Sequence, residues 1–481
     1  MKLLGIGLLG HDHSVSYYDG KNLRFHKFER TKEVKRYRFD SFSEFEQELK
    51  NLWNISIDEM DDVATCNHSK FTLSLNCNFV PHHYAHALSV YPLIGKKPDV
   101  SFVIDGMGES KTWSVFKDNK WKLANHGTIQ QGSIGWGIRD AGKLLGILAK
   151  SENDIAGKAM GLQSYGCIDE EYLSIIRKYN MNNINDIFSY ENWKNYKGDE
   201  LVSNLTKLNW LRTIHVRIEE LLVEFFSMFA SPDDVIGYSG GVAQNVVWNT
   251  TLKKHFKNLY IAPHSCDEGL SLGCLEWLRQ KHKLPLFEMD KFPYMQSDVT
   301  PSDEPAEDTI ISIAKMLSEG KTVAWYQGHG EIGPRALGNR SILMDPRIPN
   351  GKEIINKIKN RENYRPFGAS ILKEYTKEYF DMEWEDEFML FTTQVKTDIL
   401  PSITHIDGTC RVQTVGNRNP IFRKLMEEFY KITGCPVLLN TSLNIAGKPI
   451  AGYPSTAVEL LKNTSLDCAV IGNHIYLKSG E

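Results

Sequence analysis

Two histidines four residues apart, His82 and His86, share one face if residues 81–87 form a helix, because side chains at i and i+4 lie one above the other. That spacing presents two imidazoles to a single metal ion. Two acids can complete the set: Asp105 ends an apolar run, Val100 to Ile104, and Asp267 directly precedes a helical stretch. An N2O2 donor set suits iron, manganese or zinc. His83 points off that face. A second group is cationic. Arg335, Arg340, Arg347, Lys359, Arg361 and Arg365 follow a glycine-rich turn at Gly328, Gly330 and Gly333, and Arg411 adds one more. Guanidinium forks bind phosphate or carboxylate oxygens in pairs. This stretch therefore predicts a small anionic substrate.

Polar turns supply further candidates. Gly240 and Gly241 sit at a strand-to-helix turn running to Asn245, where backbone N–H groups at a helix start are a ready anion site. Lys158 lies between Gly157 and Gly161, as a nucleotide contact or at a close helix packing point. Ser442 and Asn444 follow a short apolar run and could hydrogen-bond a small polar group or cap a turn. His11 stands in the turn Gly10 to Ser14, as a turn residue or as a base facing a substrate hydroxyl.

The elements that must hold these residues alternate between strand and helix patterns. Leu3 to Leu9 reads as a first strand, and Asp19-Gly20 marks a hairpin to a strand over Leu23 to Phe28. Phe42 to Leu52, Ser133 to Ala149, Leu211 to Ala230, Asp308 to Ser318 and Pro454 to Lys462 carry helical periodicity. Asp234 to Tyr238, Thr322 to Tyr326, Val437 to Leu439 and Ala469 to Ile475 read as strands. Residues 286–305, rich in proline and acids, read as a linker between domains at 1–285 and 306–481. No internal repeat is visible.

With 481 residues and a net charge of -4, the chain carries no global footprint for nucleic acid, although Arg30 to Arg38 is locally basic. Eight cysteines with no C-x-x-C pair fit a reducing cytoplasm and exclude a thiolate zinc site. No stretch is long and apolar enough to span a bilayer. A cytoplasmic protein with no membrane partner is expected.

Taken together, HDHS at 11–14, HHYAHA at 82–87, VIDGMGE at 103–109, GKAMGL at 157–162, SGGVAQN at 239–245, GEIGPRALGNRSILMDPR at 330–347, KNRENYRPF at 359–367, THIDGTCRVQTV at 404–415 and NTSLN at 440–444 resemble one family. It is that of the ATP-dependent O-carbamoyltransferases of nodulation-factor and antibiotic biosynthesis, typified by the tobramycin and cephalosporin enzymes. The resemblance implies an α/β protein. Its N-terminal domain has the actin-like ATPase fold and is similar to the tRNA threonylcarbamoyl-transferase. Its C-terminal domain is similar to the threonylcarbamoyl-adenylate synthase.

The resemblance also implies the reaction. Carbamoyl phosphate and ATP give carbamoyl-adenylate, whose carbamoyl group then moves to a hydroxyl. His82, His86, Asp105 and Asp267 would bind the metal, iron by family precedent, with magnesium accompanying ATP. Lys158, Gly240, Gly241 and Asn245 would face the adenylate. Arg335, Arg340, Lys359, Arg361, Arg411, Ser442 and Asn444 would hold carbamoyl phosphate and ATP, with Lys359, Arg361 and Arg411 catalytic. His11, or His13 beside it, would be the base on the acceptor alcohol. The acceptor class is open: a small molecule, a sugar, or a hydroxymethylated nucleobase, with nucleic acid entering only as acceptor. A homodimer is compatible with the family. The nearest alternative is a fused threonylcarbamoyl-type enzyme acting on tRNA. The chain departs from the family at His329, usually arginine, at Gly368 to Ser370, at Leu443 and at His13.

Overall fold

The computed structural model describes residues 1–8, 10–66, 76–118, 120–125, 132–197 and 204–478. Leu9, the end of the expected first strand, lies outside them. The chain forms two compact units, Met1–Asn78 with Phe287–Glu481, and Phe79–Leu286.

The first unit begins with β1 (Leu3–Gly7), β2 (Ser14–Tyr18), β3 (Leu23–Lys27), β4 (Asp62–Thr65) and β5 (Asn78–Phe79), in the sheet order β3-β2-β1-β4-β5. β1 pairs antiparallel with β2 and parallel with β4. The helix Phe42–Trp53 covers it. Ser41 caps this helix by accepting from the Glu44 N–H, and the i, i+4 pair Phe45 and Leu49 turns inward on Leu4, Ile6 and Val15.

The second unit carries β6 (Val100–Gly108), β7 (Lys111–Lys117), β8 (Lys120–Ala124), β9 (Ile236–Ser239) and β10 (Leu259–Ile261) in the order β10-β9-β6-β7-β8. β6 is antiparallel to β7 and parallel to β9, and β10 is parallel to β9. Three consecutive strands, then two that cross over to the far side of the first, is the plan of the first sheet again. The duplicated α/β plan is that of the expected actin-like fold. No repeat was visible in the sequence because the two copies share strand order rather than side chains.

The rest of the first unit is an eight-stranded sheet of β11 (Val323–Tyr326), β12 (Arg340–Met344), β13 (Gly368–Leu372), β14 (Thr392–Gln394), β15 (Thr409–Val415), β16 (Val437–Ser442), β17 (Cys468–Ile471) and β18 (His474–Leu477). Its order is β14-β15-β13-β16-β12-β11-β17-β18. Near-continuous burial along β11, β12 and β13 explains their apolar runs.

Compactness groups residues 1–78 with the C-terminal part. The segment 286–305 is not a solvated linker. Phe292 and Gln296 are buried, and the Ser297 N–H donates to Phe25 O at 2.9 Å. Gln296 Oε1 accepts from the Lys27 N–H, and Tyr294 Oη donates to Leu337 O. Prolines remove ladder hydrogen bonds but do not prevent burial, and here aromatic and amide side chains strap the segment to β3 and to the glycine turn at 328–333. The basic run 30–38 is a cationic surface only in part, with Lys35 and Arg38 exposed and Arg36 half-buried. Arg30 is buried and donates to Glu331 O and Gly333 O, while Lys32 pairs with Glu48 at 2.7 Å.

The strap is anchored by a buried ion pair, Asp298 Oδ1 to Arg340 Nη2 at 2.9 Å, with both side chains wholly out of solvent. Removing one partner strands the other charge. Asp298→Ala should therefore cost about 3–5 kcal/mol and visibly lower the thermal unfolding midpoint. A midpoint unchanged from the parent protein would contradict this role.

Candidate metal centre and anion site

In the second unit, the helix His82–Ser89 points both predicted imidazoles to one place. His82 Nε2 and His86 Nε2 lie 3.1 Å apart. Asp105 Oδ2 is 3.4 Å from His82 Nε2, and Asp267 Oδ1 is 3.3 Å from His86 Nε2. All four ligand atoms fall within 4.8 Å of one another. Two ring nitrogens and two carboxylate oxygens so close make an electron-rich centre. The donor set suits a divalent transition metal, and the four residues predicted from sequence are the four that converge.

Each ligand is placed by a tight backbone approach. Glu109 Oε1 accepts from the His82 N–H at 2.9 Å and so caps the helix start. A Cβ on Gly108 would lie 2.1 Å from His82 Cδ2, so only glycine leaves room for the ring. A Cβ on Gly273 would lie 1.9 Å from Ala85 O, so the helix Leu270–Lys281, which follows Asp267, packs at backbone contact against the histidine helix. Burial works against ionisation of Asp105, but the hydrogen bond from His82 and the charges of the neighbouring imidazoles hold its carboxyl well below the usual range. His83 is turned away: its Nδ1 meets Ser114 Oγ at 2.7 Å and its Nε2 meets Lys111 O.

The predicted nucleotide set is arranged differently from the reading of open amides. The Gly241 N–H donates to Asp105 Oδ1 at 2.8 Å, and the Gly240 N–H donates to Ser265 O. Asn245 caps the helix Val246–His255 through its Oδ1 while its Nδ2 meets His215 Nε2 at 3.1 Å. These glycines hold a metal ligand rather than an empty anion nest. Lys158 is half-buried on the helix Asn153–Leu162, with its Nζ 2.6 Å from Leu148 O. His215 is wholly buried, its pKa pushed down to about 3 by burial, and the sequence gave no sign of its part in positioning Asn245.

In the first unit the cations divide into two kinds. Arg340 is sealed inside the protein, its fork spent on Asp298 and on the carbonyls of Gln327, Gly328 and Asn339. Arg340 is therefore a structural residue and not the ligand contact expected. Arg347 is paired with Asp345 at 2.7 Å, whereas Lys359, Arg361, Arg365 and Arg411 gather where the helix Gly351–Lys359 ends and Arg411 on β15 stands opposite Gly368 of β13. Lys359 Nζ donates to Ser442 O, to Ser442 Oγ at 3.2 Å, and to Asn444 O and Oδ1 at 2.9 and 2.8 Å. Arg361 lies over the Phe367 ring and donates to Asn356 Oδ1. Burial, then the charges of Arg365 and Arg411, push Arg361 well below its usual pKa, and burial, Arg361 and Arg365 do the same to Lys359. Among the described residues neither Arg361 nor Arg411 has an ion pair, and Arg411 Nε is buried with no hydrogen-bond partner. Arg335 is half-buried on the turn between Gly333 and Gly338. A cavity of about 580 Å3 lies on the Asn444 side of the Lys359 ammonium, lined by Asn360, Asn444, Lys448 and Thr456 among others, and its lining includes none of Lys359, Arg361, Arg365 and Arg411.

The turn after β1 separates the two candidate bases. His13 is buried, accepts from the Phe39 N–H through Nδ1 at 3.0 Å and stacks on that ring, and burial pushes its pKa down to about 4. His11 is the more exposed of the two, with its Nδ1 2.7 Å from Asp12 Oδ2.

One unit thus holds a His/Asp group that could hold a metal ion, and the other a cluster of buried cations. The family described as carbamoyltransferase N-terminus matches residues 33–275, and carbamoyltransferase C-terminus matches residues 314–478. The chain belongs to the carbamoyltransferase family. It is 29% identical to nodulation protein NolNO of Sinorhizobium fredii, over 83% of this chain and 64% of that protein. It is 29% identical to nodulation protein NolO of Bradyrhizobium diazoefficiens, over 82% of this chain and 78% of that one. Among solved structures, HypF of T. kodakarensis aligns over 59% of this chain and 48% of its own with a TM-score of 0.42 and 12% identity.

Two variants test the centre directly. The purified protein should carry a divalent metal by elemental mass spectrometry. His86→Ala and Asp105→Asn should lose it, whereas His83→Ala should retain it. Gly108→Ala, which displaces the His82 ring, should weaken metal affinity roughly 10–100-fold, the range for lost ligand orientation. Retention of metal by both ligand variants would rule the cluster out.

Proposed function

We propose that the protein is an ATP-dependent O-carbamoyltransferase that forms carbamoyl-adenylate from carbamoyl phosphate and ATP and passes the carbamoyl group to a hydroxyl. The observation that carries this reading is the cluster of Lys359, Arg361, Arg365 and Arg411. Cations that repel one another and lower one another's proton affinity are stabilised by an anion among them, and carbamoyl phosphate and the ATP phosphates are such anions.

The work of each residue follows from its place. Arg361 and Arg411 hold phosphate oxygens and stabilise charge that develops as the α-phosphate is attacked. Lys359 fixes the Ser442–Asn444 loop through four oxygen contacts, so the loop presents its remaining polar groups without reorganising. In the other unit His82, His86, Asp105 and Asp267 would hold a divalent ion, which supplies a Lewis acid for the departing phosphate. His11 takes the proton of the acceptor hydroxyl. Eight free cysteines fit a reducing cytoplasm, where both donors are found. In the basic run 30–38 Arg30 is buried and Lys32 is paired while Lys35 and Arg38 stay exposed, so the acceptor class stays open between a small molecule, a sugar and a hydroxymethylated nucleobase.

Incubation with ATP and carbamoyl phosphate should release pyrophosphate. A panel of alcohols analysed by mass spectrometry should show one that gains a carbamoyl group. Arg361→Ala should lower pyrophosphate release on the order of 100–1,000-fold, as for loss of a transition-state donor. His11→Ala should keep pyrophosphate release and abolish transfer. Release that requires threonine and bicarbonate in place of carbamoyl phosphate would favour the threonylcarbamoyl-type alternative.

A further inference from the structure

The hairpin turn between β1 and β2 carries an arrangement that the proposed reaction does not yet use. Asp12 is buried and stands at φ 59, in the left-handed region, two residues after Gly10 at φ 50. A non-glycine residue there is uncommon, although aspartate tolerates it better than most. The turn aims the Asp12 carboxylate between two partners. Oδ2 lies 2.7 Å from His11 Nδ1, and Oδ1 lies 2.8 Å from Lys27 Nζ. Lys27, buried on β3, also meets Glu29 Oε1 at 3.1 Å, and Glu29 Oε2 accepts from the Arg36 N–H at 2.8 Å. Burial alone would favour a neutral Asp12, yet the Lys27 charge and then the hydrogen bond with His11 outweigh it and keep the carboxyl well below its usual range. An ionised carboxylate can only accept. His11 Nδ1 is therefore the donor of that hydrogen bond, and the basic lone pair of the neutral ring is on Nε2.

We propose that Asp12 is a positioning residue for carbamoyl transfer: locked by Lys27 and by its left-handed backbone, its carboxylate fixes the tautomer and ring plane of His11 so that Nε2 takes the acceptor's proton. This rests on the transferase reading above. In the step, the acceptor oxygen forms a bond to the carbamoyl carbon as its proton moves to His11 Nε2. The bond from that carbon to the phosphate oxygen breaks, and AMP leaves with the electron pair. The products are the carbamate ester and AMP, and His11 returns its proton to solvent. Lys27 and Glu29 touch neither substrate. Their part is to keep Asp12 ionised and immobile.

The tautomer is measurable without any substrate. In protein labelled with 15N-histidine, the His11 ring, assigned by its loss in His11→Gln, should show the Nδ1–H tautomer in the wild type. Asp12→Asn should shift it towards Nε2–H, and Asp12→Glu should restore part of the original population. Wild-type His11 found as the Nε2–H tautomer overturns the proposal, whether or not any variant folds. In turnover with ATP, carbamoyl phosphate and ethylene glycol as acceptor, Asp12→Asn should lower kcat for carbamate formation at least roughly 100-fold, as when an imidazole loses its orienting carboxylate, with pyrophosphate release and the KM for ATP unchanged. Equal transfer by Asp12→Asn and wild type would also overturn it. A wild type that releases no pyrophosphate would instead refute the transferase reading and leave the tautomer result to decide the role of Asp12.

Discussion

The metal centre hangs on one backbone contact. Gly240, at φ 94, passes so close to β6 that a Cβ would sit 2.2 Å from Ile104 O. That approach brings the Gly241 N–H to Asp105 Oδ1 and fixes the carboxylate that faces His82. A side chain at 240 would push β9 away from β6 at the point where Asp105 leaves the sheet, and no rotamer of Asp105 could recover the lost hydrogen bond. Gly108 against His82, and Gly273 against Ala85, repeat the device. Gly240 and Gly273 act by letting backbone reach backbone and Gly108 by leaving room for the His82 ring, and the four side chains follow.

The first unit solves a different problem, which is to hold like charges together before a ligand arrives. Buried cations without counterions are costly. Here the cost is met by carbonyls and amides: Lys359 is wrapped by Ser442 and Asn444, and Arg361 by Asn356 and Pro366 with Phe367 beneath it. Neutral acceptors solvate the charge without cancelling it, so the attraction for an anion survives. Arg340 shows the contrasting case. Paired with Asp298 and capped by carbonyls, it has no field left to offer a ligand, and it serves the fold by tying the 286–305 strap to the glycine turn.

Much of this was legible in the residues. The i, i+4 spacing of His82 and His86 and the acid closing a strand at Asp105 pointed to side chains that do converge, because helix and strand geometry fix where such side chains point. The boundaries of the helix Asp308 to Ser318 and the strand Thr322 to Tyr326 also agree with the structure to within a residue or so. What was not legible depends on partners distant in the chain. Nothing local distinguishes Arg340 from Arg361; the difference is Asp298, forty-two residues away. The 286–305 segment reads as solvent-facing until β3 is seen to receive it. Nor do open amides at Gly240 and Gly241 survive, since the carboxylate that occupies Gly241 comes from the β6 end, 136 residues earlier.

The two five-stranded sheets make the clearest link between topology and chemistry. In each, the turn from the first strand to the second adopts left-handed backbone, at Gly10 and Asp12 in one and at Glu109 and Ser110 in the other. In each, an aspartate at or beside that turn carries the function: Asp12 orients His11, and Asp105 faces His82 where the β6–β7 register breaks between Ile104 and Gly108. The reason is geometric. A strand end released from its ladder has backbone groups and side chains free to turn toward a ligand, while the sheet behind keeps them rigid. A plan used twice thus supplies the same kind of slot twice. The side chain placed in each slot decides whether it steers a proton or holds a cation, and that choice is why the strand order repeats while the sequence does not.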